Sequence, residues 1–270
     1  AALDLKGEAK TYGIYASYPL QRTPMRSLYL TVGHDIKKLV DRSGALETGN
    51  REVATTSFGF SGTQLHALGS LNTQTSFGAS LNFGESDQRN AAALAADGAT
   101  RGANGGFTKL AFNLGNQGEF NPSWSYVAAL RGQFAGQNLD SSERISLGGP
   151  NGIRAYPGGE GLGDEGWLLN VNLRRSLGDA ARVTLFYDAG GIRLNKTTWA
   201  NWNAGNPGLE NSYTLSGAGV SLDWLPKRNT ALSVVLATPV GSNPGRDANG
   251  NNADGKNEGL RAWISLNAQF

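Results

Sequence analysis

The sequence predicts an all-β fold, a transmembrane barrel of antiparallel strands, and three observations carry the prediction. Apolar residues alternate with small or polar ones in segment after segment, the connections between segments alternate between short and long, and the last segment ends on an aromatic residue. Alternation is clearest in three places. Thr75, Phe77, Ala79, Leu81 and Phe83 fall on one side of a strand whose other side is Ser76, Gly78, Ser80, Asn82 and Gly84. Trp167, Leu169, Val171 and Leu173 oppose Leu168, Asn170, Asn172 and Arg174; Leu260, Ala262, Ile264, Leu266, Ala268 and Phe270 oppose Arg261, Trp263, Ser265, Asn267 and Gln269. A strand tilted across a bilayer needs about 9 to 11 residues, with one face for lipid and one for water.

Composition is compatible with this reading without requiring it. The 270 residues include 38 Gly and only 39% apolar residues, with a mean hydropathy of -0.35. No stretch approaches the roughly 18 apolar residues of a membrane helix, so a helical membrane protein is excluded. A soluble β-protein and a disordered chain stay open on composition alone. The 24 basic residues are scattered among 22 acidic ones, so no nucleic-acid footprint is present. Lack of cysteine excludes a disulfide framework and thiolate metal sites. Residues 1–10 carry neither the basic nor the apolar region of a signal peptide, which favours a sequence that starts inside a longer protein.

Period-two reading along the chain places about eleven strands near 8–19, 26–40, 52–62, 73–84, 106–115, 123–136, 166–177, 181–193, 212–225, 229–240 and 258–270. Connections are short at 19–25, 116–122, 178–180 and 226–228. They are long at 85–105, 137–165, 194–211 and 241–257. Short turns on one side and long loops on the other are what an outer-membrane barrel requires, with the turns in the periplasm. The turn at 63–72 is longer than that rule expects. Tyr12 and Tyr18, and likewise Trp124 and Phe134, sit near opposite ends of their apolar faces, as two interfacial girdles would. Phe270, the aromatic at the last position, resembles the C-terminal signal read by the barrel-assembly machinery.

One connection is unlike the rest. From Leu147 to Gly166 it reads LGGPNGIRAYPGGEGLGDEG, with eight Gly and two Pro in twenty residues, which no strand or helix tolerates. It lacks the Lys and Ser/Thr of a phosphate cradle. Ile153, Arg154, Ala155 and Tyr156 stand in its middle. Two strands' length further on, Phe186, Asp188 and Gly190 occur as FYDAG, and strand parity puts Phe186 and Asp188 on the lumen side, opposite Val183, Leu185 and Tyr187.

With these residues in view, the stretch from Leu139 to Arg174 resembles the sixth extracellular loop and flanking strands of the two-partner secretion transporters (TpsB), which belong to the Omp85 superfamily. IRAY is similar to the superfamily's VRGY/F motif, with Ala155 where Gly is usual, so a tight glycine turn is not carried over. FYDAG fits the F-x-D-x-G pattern. KTYGIYASYPL and LRGQFAGQNLD extend the resemblance over the chain.

The resemblance implies that residues 137–165 fold back into the lumen and that Arg154 pairs with Asp188. It implies a sixteen-stranded barrel of which the first five strands, two POTRA domains and an N-terminal plug helix are not in this sequence. The implied function is export of a large TpsA-type exoprotein, such as a haemagglutinin, haemolysin, adhesin or contact-dependent toxin, across a Gram-negative outer membrane. Its implied partners are that exoprotein, the lipid bilayer and, during biogenesis, the barrel-assembly machinery, with no cofactor and no metal. A barrel-assembly insertase of the same superfamily and a passive porin are the alternatives. An enzymatic barrel would need a nucleophile with a base, or paired acids, at its rim. The two histidines, His34 near an outer strand end and His66 in a turn, have no such setting, so no enzyme is expected.

Overall fold

Backbone groups inside a bilayer have no water to bond, so a chain without membrane helices must satisfy them between strands. A computed structural model describes residues 4–69, 71–227 and 230–268, and it does this with one eleven-stranded antiparallel meander. The first six strands are β1 (Leu5–Arg22), β2 (Arg26–Ser43), β3 (Leu46–Leu68), β4 (Leu71–Gln88), β5 (Gly105–Asn121) and β6 (Trp124–Ala135). Two short strands, β7 (Ile145–Ser146) and β8 (Leu162–Gly163), pair with each other inside the long connection. The meander resumes with β9 (Glu165–Leu177), β10 (Ala181–Arg193), β11 (Ser212–Lys227), β12 (Thr230–Pro239) and β13 (Arg261–Ala268).

Cross-strand register turns the sequence alternation into continuous rows. Val32, Phe58, Leu81, Leu110 and Phe134 lie side by side on β2 to β6, all exposed and all facing outward. Leu173, Leu185, Val220 and Leu236 continue such a row on β9 to β12. Exposed apolar rows of this extent are ruinous in water and are the lipid-facing belt of a membrane barrel. The opposite face carries buried polar side chains, among them Thr55, Asn82, Gln133, Asn172 and Ser221. Leu81, Phe83, Leu169, Val171 and Leu266 take the outward face as the alternation predicts. Phe270 lies outside the described residues.

The first four strands run well past the belt at their outer ends. Directly beyond it, Lys10, Lys38, Glu52 and Asp87 form one outward row, with Lys38 and Arg89 both paired to Glu52. Above this rim both faces meet water, so the apolar contrast disappears although the hydrogen-bond ladder continues. That is why the period-two reading ends these strands too early. The structure corrects three further readings. β3 extends through Leu68 and β4 begins at Leu71, and Gly69 takes a φ of 63° that suits glycine, so this connection is short after all. His66 is therefore in β3, not in a turn. His34 lies midway along β2 on the outward face, its Nδ1 3.0 Å from the Thr56 hydroxyl, not near a strand end.

The connection after β4 also holds a helix, α1 (Ala91–Gly98), where only loop was expected. Asn90 caps it by accepting from the Ala93 N–H.

Candidate functional site

The connection from β6 to β9 is the most enclosed part of the molecule. Leu147, Ile153, Ala155 and Tyr156 are buried with Leu168, Phe186, Ile192 and Leu215 of the inner wall in one apolar cluster. Its backbone is folded tightly on itself: Ile153 N–H donates to Leu147 O at 2.7 Å, Tyr156 N–H to Ile153 O at 3.0 Å and Gly149 N–H to Tyr156 O at 3.0 Å. Loop and wall fit because the wall gives way at glycines. A Cβ on Gly190 would lie 2.8 Å from Leu147 Cδ2, and one on Gly217 would lie 2.5 Å from Ala155 Cβ.

Ala155 itself has a negative φ, so glycine is not required there for backbone reasons. Its methyl occupies the space that Gly217 leaves open.

At the centre of the loop Arg154 meets Asp188. Nη2 is 2.7 Å from Oδ1 and Nε 2.9 Å from Oδ2, a two-pronged guanidinium–carboxylate contact, and the Arg154 backbone N–H adds a third bond to Oδ2 at 3.0 Å. Asp188 has no exposed surface. Asn170 donates to its Oδ1 at 2.7 Å, and the same amide donates to Gly152 O at 3.0 Å. Asn172 accepts from Arg154 Nη2 at 2.9 Å, and the Phe186 ring lies 3.4 Å beneath the guanidinium carbon. Trp263 on β13 donates its indole N–H to Arg154 O at 2.8 Å. The sequence-selected Arg154, Phe186, Asp188 and Gly190 therefore converge, with Ile153 and Ala155 packed beside them.

Tyr156 points elsewhere. Its buried hydroxyl has no hydrogen-bond partner among the described residues, and burial, reinforced by the charge of Glu160, pushes the phenol pKa up.

Further loop carboxylates escaped the sequence reading, among them Asp140, 2.9 Å from Arg51 Nε. Glu143 sits between Lys37 and Lys109, at 2.6 and 2.7 Å. Asp164 takes Arg144 Nε at 2.8 Å and the backbone N–H groups of Leu139 and Lys196 at 3.2 and 2.8 Å. Glu160 accepts from the Asn243 side chain at 2.8 Å and the Ala253 N–H at 2.7 Å, joining the loop to the connection between β12 and β13. Nothing local marks these acids, which look like ordinary solvated loop charges. Asn170 and Asn172 did carry a signal, being polar on the same parity as Leu168 in a strand otherwise rich in Leu. Toward the periplasmic turns the inner face opens into a cavity of about 900 Å³ lined in part by Gln74, Gln117, Arg174 and Arg182.

Because the loop bonds to Lys37 on β2 and to Trp263 on β13, the sheet must curve around it. A curved sheet with an apolar exterior and a latched internal loop is a specific combination, and residues 1–222 match the profile of the family described as haemolysin secretion/activation protein ShlB/FhaC/HecB. The chain belongs to that family. The two-partner secretion relationship expected from IRAY and FYDAG is this one, and it places the chain in the Gram-negative outer membrane.

Among curated relatives, the heme/hemopexin transporter protein HuxB of Haemophilus influenzae is 27% identical over 277 residues, which cover 100% of this chain and 46% of HuxB. The chain thus spans about half the length of the relatives it matches. Of solved structures, CdiB from Escherichia coli superposes with a TM-score of 0.73 at 18% identity, over 98% of this chain and 46% of that one. CdiB from Acinetobacter baumannii gives 0.68 at 13% identity, over 98% and 42%. At these identities the likeness is one of fold.

Proposed function

We propose that this chain lines an outer-membrane pore that carries a large exoprotein to the cell surface, and that residues 137–165 form an internal loop whose seating controls the pore. The observation that carries the proposal is the buried Arg154–Asp188 contact. An exposed pair contributes about 0 to 1 kcal/mol, too little to order some twenty glycine-rich residues against their entropy. Sheltered as it is, breaking it by removing one partner costs about 3 to 5 kcal/mol. Outside the apolar cluster beneath the loop, the inner face carries Thr, Asn, Gln and Ser, which offer an extended polypeptide hydrogen-bonding partners. Transport through such a path is conduction, not catalysis, and calls for no nucleotide, metal or covalent step. Phe270 fits a role in recognition by the barrel-assembly machinery.

The test is secretion per inserted barrel in the full-length transporter. Arg154→Ala and Asp188→Ala should insert normally, held by the strand ladder, and export poorly. The exchange Arg154→Asp with Asp188→Arg should recover part of the activity, limited by guanidinium geometry. Wild-type export in both single variants would remove the loop from the mechanism.

A further inference from the structure

Besides Arg154–Asp188 and Arg144–Asp164, the loop carries a further buried ionic group, eleven residues upstream of Arg154 and attached to a different part of the wall. Glu143, 4% exposed, lies in a single 3-10 turn (Ser141–Glu143). Its Oε1 is 2.6 Å from Lys37 Nζ on β2 and its Oε2 is 2.7 Å from Lys109 Nζ on β5. The Glu143 carbonyl accepts from Lys109 Nζ at 3.2 Å and from Gln133 Nε2 at 3.0 Å. Every polar atom of this residue that faces the wall is thus engaged. The partners of Arg154 are Asp188 on β10 and Asn172 on β9, so the two groups share no residue.

We infer that Glu143 is a positioning residue, the second anchor of the loop, fastening its upstream arm to the β2–β5 wall while Arg154 fastens its tip to β9 and β10. The charge balance gives the anchor its direction. One carboxylate stands between two ammonium groups, both largely shielded from water, so without it Lys37 and Lys109 would face each other as like charges. Glu143 therefore draws the arm inward and screens the two cations at once. Asp140, 2.9 Å from Arg51 Nε on β3, reinforces the same arm, so the upstream arm and the tip are fastened to separate strands and opening the lumen requires both to release. This inference deepens the proposed function by adding a second control point, but it concerns the seating of the loop and stands apart from what is exported.

Hydrogen–deuterium exchange on the full-length transporter in lipid nanodiscs, with no exoprotein present, tests it directly. In Glu143→Gln the amides of residues 138–147 should exchange at least tenfold faster than in wild type, while those of 152–156 stay within twofold. Arg154→Ala should give the converse pattern. Lys37→Met with Lys109→Met keeps Glu143 and should reproduce its loosening, which provides the same test if the Glu143 variant fails to insert. Exchange of 138–147 within twofold of wild type, or equal loosening of both segments, would overturn the second anchor. Loss of export with wild-type exchange would count against this inference and leave the pore reading intact.

Discussion

Two connections on the extracellular side, residues 89–104 and 136–164, differ in almost everything except composition. Both are rich in small and polar residues, and neither has the alternation of a strand. The first forms α1, which buries none of its side chains; Asn90 caps it at the Ala93 N–H and Asp97 closes it at the N–H groups of Ala103 and Asn104, and its longer bonds are few, among them those from the Arg89 N–H to Asn50 O, from Asn90 Nδ2 to Glu47 O and from Asn138 Nδ2 to Arg101 O. The second closes around fully buried Leu147, Ile153 and Tyr156 and reaches β2, β5, β9, β10 and β13 through ionic and hydrogen bonds. Glycine content says only that a segment is not regular. Whether it stands in water or is drawn into the lumen depends on charged and apolar side chains meeting partners where water is excluded.

Substitutions can sharpen that contrast, and local opening free energies from hydrogen exchange give a common scale. Asp164→Ala should have the largest effect, because it strands the buried Arg144 guanidinium and two backbone donors. A loss of about 3 to 5 kcal/mol in local stability at residues 137–147 is expected, and less than 1 would show that this part of the loop is wet. Gly217→Val places a branched side chain against Ala155 and should cost about 1 to 3 kcal/mol in loop seating, with the outer rows undisturbed. In the outer connection, Asn90→Ala should fray α1 by about 1 kcal/mol and leave residues 136–164 unchanged. Arg89→Ala, which removes a half-exposed ion pair to Glu52, should leave stability close to wild type, and any loss should fade with added salt. Effects of equal size in the two connections would erase the distinction.

The fold was legible because a membrane barrel writes its two environments into alternate residues, and rows such as Val32, Phe58, Leu81, Leu110 and Phe134 need only that rule. Where both faces meet water, as beyond Lys38 and Glu52, the rule is silent and the strand ends were misplaced. α1 was missed although Ala91–Ala93, Leu94 and the preceding Asn90 carry helix propensity and a cap, since only the two-residue period was weighed. Of the site, Arg154 and Asp188 were reached through paired motifs and strand parity. Glu143, Glu160 and Asp164 were not, because their partners lie from 20 to 106 residues away in sequence and only the folded chain brings them together. Ala155 looked like a departure that weakened the motif, and Gly217, sixty-two residues on, is what accommodates it.

Seating of the long loop by Arg154 and Asp188, with the connection bearing α1 outside, can be read with a protease. Arg154 is itself a trypsin site, as are Arg89 and Arg101 in the outer connection. Trypsin added to intact cells carrying the full-length transporter should cut after Arg89 or Arg101 and spare the bond after Arg154. In Asp188→Asn and Asp188→Ala, cleavage after Arg154 should become readily detectable at the same dose, with cleavage in the outer connection unchanged. Cutting after Arg154 in the wild type as fast as after Arg101, or undiminished protection of Arg154 in both Asp188 variants, would contradict this seating.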